Sequence, residues 1–88
     1  MGNYKLSIIT VICNAEKLLP ITLKSVREVK CQEVEYVLID GASKDNSLNI
    51  LEENKDIIDQ LVSEPDAGIY DAMNKGLEKA SGDYVVFI

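Results

Sequence analysis

Histidine and tryptophan are absent from this 88-residue chain, and phenylalanine occurs once. Without histidine there is no Ser–His or Cys–His nucleophile pair, and most zinc sites are excluded as well. Basic residues are scarce: nine Lys and Arg stand against fifteen Asp and Glu, for a formal net charge of −6. Nonspecific binding to nucleic acid needs a basic stripe, so nucleic acid is not an expected partner. The acidity still permits one small phosphorylated ligand held by backbone amides and a few side chains. No apolar stretch approaches the ~20 residues of a membrane span. No signal peptide precedes the two cysteines, Cys13 and Cys31, so a disulfide framework is not expected. Cys13 ends an apolar run, and both thiols are expected to be free and buried in a cytoplasmic protein. Three nucleotide-binding signatures are missing too: the G-x-x-x-x-G-K-[ST] phosphate loop, a G-x-G-x-x-G after the first strand, and the Arg-rich glycine loop of sugar nucleotidyltransferases.

What is present is ordinary for a globular domain, with 47% hydrophobic and 27% charged residues. A chain of this size buries only about 60–65% of the surface its unfolded form exposes, so it folds with little margin. Residues 6–13 are β-branched and almost continuously apolar, the pattern of a strand buried on both faces. Residues 34–39 repeat that pattern and stop at Asp40-Gly41. Two further strands are expected at 58–63 and 84–88. Between them, helices are expected at about 16–30, with Leu19, Leu23 and Val26 on one face and Pro20 in the first turn, and at about 46–55, capped by Ser43 or Asp45. In the third helix Ile69, Ala72, Met73, Gly76, Leu77 and Ala80 form one apolar stripe, and Gly82 supplies a stop. Gly76 costs roughly 1 kcal/mol of helix propensity against Ala, which points to a close helix–sheet approach.

Strands alternating with helices predict an α/β fold: a Rossmann-like, mostly parallel sheet of about four strands with helices on both faces. Residues 1–88 read as one domain without repeat, linker or low-complexity tract. It ends inside an apolar strand without a polar tail, so a truncated, partial domain is expected.

In an open parallel sheet, ligands bind beyond the carboxyl ends of the strands. Three polar clusters map to that rim: Asn14 after the first strand, residues 40–43 after the second and residues 64–68 after the third. Each has a plainer reading. Asn14 serves equally as a simple cap of the first helix; Asp40-Gly41 and Asp66-Ala67-Gly68 serve equally as turn chemistry. Asp71, Asn74 and Lys75 fall on the less apolar side of the third helix, where a solvated face is the default, although Asn74 is a poor mid-helix residue without a partner. The set is more informative than its members, because an acceptor carboxylate at a strand end suits a uracil or ribose edge.

Taken together, Ser7-Ile8-Ile9-Thr10-Val11-Ile12-Cys13-Asn14, Ile39-Asp40-Gly41-Ala42-Ser43-Lys44-Asp45, the run from Ser63 to Gly76 (SEPDAGIYDAMNKG) and Ala80-Ser81-Gly82-Asp83-Tyr84 cover nearly the whole chain. In order and spacing they resemble the N-terminal nucleotide-binding half of family 2 glycosyltransferases, inverting enzymes of the GT-A fold, and most of all members that build bacterial surface polysaccharides. The resemblance implies transfer of a sugar from a UDP- or other NDP-sugar to an acceptor hydroxyl. It implies that Val11, Asn14, Asp40 and Gly41 contact base and ribose, and that Asp66, Gly68, Asn74 and Lys75 border the nucleotide. It further implies a Mg²⁺ or Mn²⁺ whose ligands, like the catalytic base, lie beyond Ile88, so the chain alone is expected to be inactive. Three positions depart from the common pattern: Gly41 where many members carry a second acid, Cys13 where Tyr is common, and Val29 where Gln is frequent. A non-enzymatic, receiver-like module with Asp40 as its functional carboxylate is the alternative. Peripheral membrane association of the parent and a homodimer through the truncated face complete the expectations.

Overall fold

The computed structural model describes residues 4–88. Four parallel strands, β1 (Leu6–Ile12), β2 (Val34–Asp40), β3 (Gln60–Ser63) and β4 (Tyr84–Phe87), form one sheet in the order β3-β2-β1-β4. The connecting helices are α1 (Leu19–Val29), α2 (Ser47–Glu53) and α3 (Ile69–Lys79), with a 3₁₀ turn at Lys55–Ile57. The α/β sheet with helices on both faces is therefore as the alternation predicts.

Side chains alternate across each strand, which divides the core into two layers. Ile8, Tyr36 and Leu38 face α1 and α2, packing with Leu19, Leu23, Val26 and Leu51. Ile9, Val37 and Ile39 face the other side and pack with Ala72 of α3. The chain thus steps from β1 through β2 to β3 with its helices on one face, then returns over the opposite face through α3 to place β4 beside β1. That reversal creates a switch point at the carboxyl end of β1, where open α/β sheets open a crevice.

The two layers are unequal. On α3 only Ala72 and Gly76 are buried, and a buried methyl contributes about 0.8 kcal/mol. Gly76 lets the helix approach: a Cβ there would lie 2.5 Å from Ile9 Cγ2. The apolar stripe read from the sequence is only partly covered, since Ile69 is 63% and Leu77 47% exposed. All of β4 is exposed as well, along an edge of the sheet.

Element boundaries shift for local reasons. Helix α1 starts at Leu19 rather than near residue 16, because Asn14 turns the chain at φ 53° and Pro20 must occupy the first turn. Helix α2 stops at Glu53, where the Asn54 side-chain amide donates to Ile50 O at 2.8 Å and takes a helical carbonyl. Strand β3 accordingly begins at Gln60. Gly82 does not stop α3, which ends at Lys79; it packs on β1, where a Cβ would lie 2.7 Å from Ser7 N. The thiols are free, but both are exposed rather than buried. The strand ends one residue before Cys13, which passes into the rim loop, and Cys31 lies in the turn before β2.

Candidate functional site at the carboxyl rim of the sheet

Asp40 ends β2 with no exposed surface. Its carboxylate accepts from Ser43 N at 3.0 Å, from the Ser43 hydroxyl, and from Ser63 Oγ at 2.8 Å. Parallel register places Ser63 directly opposite Asp40. The buried charge is satisfied by neighbours of its own fold, as burial demands. Such a group holds a loop in shape. It is not an accessible phosphoacceptor, which removes the basis for a receiver-like module.

The loops after β1 and β2 are bound to each other. Three consecutive amides, those of Asn14, Ala15 and Glu16, donate to Ser43 Oγ at 2.8 Å, Ser47 Oγ at 3.1 Å and Asp45 Oδ2 at 3.1 Å. In return Asn14 Oδ1 accepts from Lys44 N at 2.7 Å. Asn14 therefore does not cap α1, whose first residues follow Leu18. Ser43 does not cap α2 either. Asp45 takes the amide of Ser47 at 2.9 Å from just outside the helix. The Ser47 hydrogen bond, with the amides it accepts, outweighs desolvation and holds the Asp45 carboxyl below its ordinary value.

The loop from β3 to α3 forms the other wall. Gly68 takes φ 119°, a conformation side chains disfavour, and its amide donates to Asp66 Oδ1 at 3.2 Å. The Ala67 amide donates to Asp71 Oδ2 at 2.8 Å. Lys75, largely covered, lies 3.2 Å from Glu64 and 3.6 Å from Asp71, and donates to Pro65 O at 3.0 Å. Desolvation opposes its charge, but the Glu64 hydrogen bond and the surrounding carboxylates outweigh it and raise the ammonium above its ordinary value. Its role here is to fasten the loop to its helix.

Between the walls lies a cleft of about 250 Å³ lined by Val11, Ile12, Cys13, Asp66, Gly68, Ile69 and Ala72. Drug-sized ligand pockets run from about 300 Å³ upward, so this cleft is smaller than those. Of the residues singled out by sequence, Val11, Asp66 and Gly68 line it, and Gly41 backs onto Asp66. Asp40 is buried behind it, and exposed Asn14 lines a separate hollow of about 440 Å³ with residues 15–18 and Asp45. Asn74 is exposed on the outer side of α3. Sequence reasoning took in Ile12 and Cys13 only within the stretch from Val11 to Asn14, and read Ile69 and Ala72 as part of an apolar stripe rather than as lining. The core-like periodicity of β1 and α3 hid them, because both elements run past the edge of the packed core. Among the described residues no group of three His, Cys, Asp or Glu side chains stands together to hold a metal ion, and no helix is long and apolar enough to cross a membrane.

Residues 7–88 match the family described as Glycosyl transferase family 2. The chain is 37% identical to a PGL/p-HBAD biosynthesis glycosyltransferase of Mycobacterium bovis, covering 93% of this chain and 33% of that protein. It is 33% identical to a cholesterol galactosyltransferase of Borreliella burgdorferi, covering 96% of this chain and 24% of that one. Its fold superposes on S. aureus TarS 1-349 in complex with UDP-GlcNAc with a TM-score of 0.80 at 25% identity, covering 96% of this chain and 26% of that one. The chain thus spans a third or less of the length of these relatives.

Proposed function

This chain belongs to glycosyl transferase family 2, and from that premise we propose that it supplies the nucleotide-facing part of a sugar-transferring enzyme. The whole enzyme moves a sugar from an NDP-sugar to an acceptor hydroxyl in polysaccharide or glycan synthesis. The supporting observation is the cleft at the carboxyl end of β1. It is apolar on the sides formed by Val11, Ile12, Ile69 and Ala72, and it carries the carboxylate of Asp66. Those walls suit the faces of a base, and the carboxylate suits a donor on its edge or on the ribose.

Residues 1–88 make up one partial domain in this reading. They bind and orient the nucleoside and shield it from water on one side. The family generally uses a divalent metal, Mg²⁺ or Mn²⁺, which neutralises charge on the departing diphosphate. Among the described residues no three carboxylates stand together for that duty: Asp40 is enclosed, Asp71 pairs with Lys75, Asp45 holds a loop, and Asp66 is the one acid lining the cleft. The metal ligands and the base that takes the acceptor's proton therefore belong to positions outside this chain. The enzyme works on the cytoplasmic side, where sugar nucleotides are made, with peripheral contact to a membrane when its acceptor is a lipid. Two copies of the chain pair through exposed β4 and the uncovered side of α3; a monomer by light scattering at high concentration overturns that pairing.

Titration of the ¹⁵N-labelled chain with UDP tests the central reading. Saturable shifts at Val11, Cys13, Asp66 and Gly68 are expected. Their absence at millimolar UDP sinks it, and sugar transfer by the chain alone contradicts the assignment of metal and base elsewhere.

A further inference from the structure

The position after Asp40 is a glycine whose missing side chain is filled by another residue's carboxylate. A Cβ on Gly41 would lie 2.8 Å from Asp66 Oδ2, 3.4 Å from its Cγ and 3.5 Å from Oδ1. Gly41 itself has no freedom to retreat. Its amide donates to Ile12 O at 2.9 Å, and its carbonyl accepts from Cys13 Sγ at 3.4 Å. Asp66 is the mobile party, a side-chain end held by the Gly68 amide through Oδ1. No hydrogen bond to Oδ2 occurs among the described residues, and Asp66 lines the cleft. Asp40, the acid that precedes Gly41, is enclosed and saturated.

Resting on the nucleotide-binding reading above, we infer that Gly41 is a positioning residue that seats Asp66 as the nucleoside-reading acceptor of the cleft. The second loop gives up a side chain, and the third loop supplies the carboxylate in its place. A carboxylate there accepts hydrogen bonds from a nucleoside donor, either the imide N–H of uracil or a ribose hydroxyl. Any side chain at position 41 drives the Asp66 carboxylate off this seat and breaks its bond to Gly68. An acid at 41 and an acid seated at 66 are therefore alternatives, not partners.

The test is a cycle of Gly41→Ala, Asp66→Ala and the double variant, with UDP as the probe. Gly41 lies outside the left-handed region, so alanine fits its backbone. Each single variant is expected to weaken UDP by about tenfold, and the double no more than Asp66→Ala, since a residue acting through another is non-additive with it. In Gly41→Ala the Gly68 amide resonance moves, reporting loss of its acceptor; this readout needs no ligand. CDP and 2′-deoxy-UDP identify the donor: Asp66→Ala erases the preference for UDP over CDP if the imide is read, or over 2′-deoxy-UDP if the ribose is. The inference falls if Gly41→Ala binds UDP like the parent, if its cost persists in the Asp66→Ala background, if its Gly68 amide is unmoved, or if both preferences survive. Failure of the parent chain to bind UDP instead removes the nucleotide reading, and the Gly68 amide then still decides whether Gly41 seats Asp66.

Discussion

Ser81 donates its backbone amide to Glu35 Oε1 at 2.9 Å, tying the segment before β4 to the middle of the sheet. Ser7 Oγ donates to the same oxygen at 2.7 Å, and Gln60 Nε2 to Oε2 at 3.0 Å. One carboxylate, 3% exposed, thus joins β1, β2, β3 and the approach to β4 at the end of the sheet opposite the cleft. Burial acts to raise its pKa, but the Ser81, Ser7 and Gln60 donors together outweigh it and lower Glu35 from the ordinary 4.5.

Because the folded value is depressed, the stability from Glu35 is fully present above about pH 4.5 and is lost as pH falls through the lower folded value. Glu35→Gln is expected to cost about 2 kcal/mol at neutral pH, the worth of hydrogen bonds to a charged group. It should also flatten the loss of stability in acid. Urea denaturation at a series of pH values measures both; an unchanged acid limb contradicts the assignment.

Two effects compete at Gly76. Helix propensity favours Gly76→Ala by about 1 kcal/mol, whereas a Cβ at 2.5 Å from Ile9 Cγ2 overpacks the interface, at about 1–3 kcal/mol. Packing is expected to win. The variant should melt lower than the parent, and a higher midpoint shows that α3 yields more readily than its contacts imply.

Ala42 sits at φ 57°, a left-handed conformation that costs an L-residue roughly 1–2 kcal/mol. Gly removes that strain but loosens the unfolded chain. Ala42→Gly is expected to stabilise by up to about 1 kcal/mol, read as a rise in the denaturation midpoint with no change in slope.

Cys13 is exposed and lines the cleft, whereas Cys31 is exposed away from it. Alkylation of Cys13 by iodoacetamide should reduce UDP binding by at least about tenfold, and UDP should slow the reaction. A Cys13→Ser chain should bind UDP equally before and after alkylation of Cys31. Equal labelling of Cys13 with and without saturating UDP places the nucleotide elsewhere.

The sheet and its helices were legible because long apolar runs mark the strands and 3.6-residue stripes mark the helices, even on α3, where the stripe is only partly covered. Their ends were not, since those depend on single side chains competing for backbone groups, as Asn54 does at α2. The rim was legible as three clusters, yet the division of labour inside it was hidden. Sequence spacing marks Asp40 and Asp66 alike as acids beyond strand ends. Only the register that sets Ser63 beside Asp40, and the empty position at Gly41, separate a loop-holding acid from one that faces the cleft. The exposure of Cys13 escaped for a related reason: an apolar run does not reveal the residue at which it leaves the core.

The hydrogen bond from the Gly82 amide to Ser7 Oγ spans 75 positions. During synthesis β1 and β2 emerge early and pair with their neighbours, while the flank of β1 reserved for β4 stays open until the segment 75 positions further on has been made. Contacts so distant in sequence form late and slowly, and an unpaired strand flank is where nascent chains associate wrongly. The Ser7 and Glu35 side chains wait there with acceptors ready, so docking of Ser81 and Gly82 acts as the latch that fills the open flank of β1.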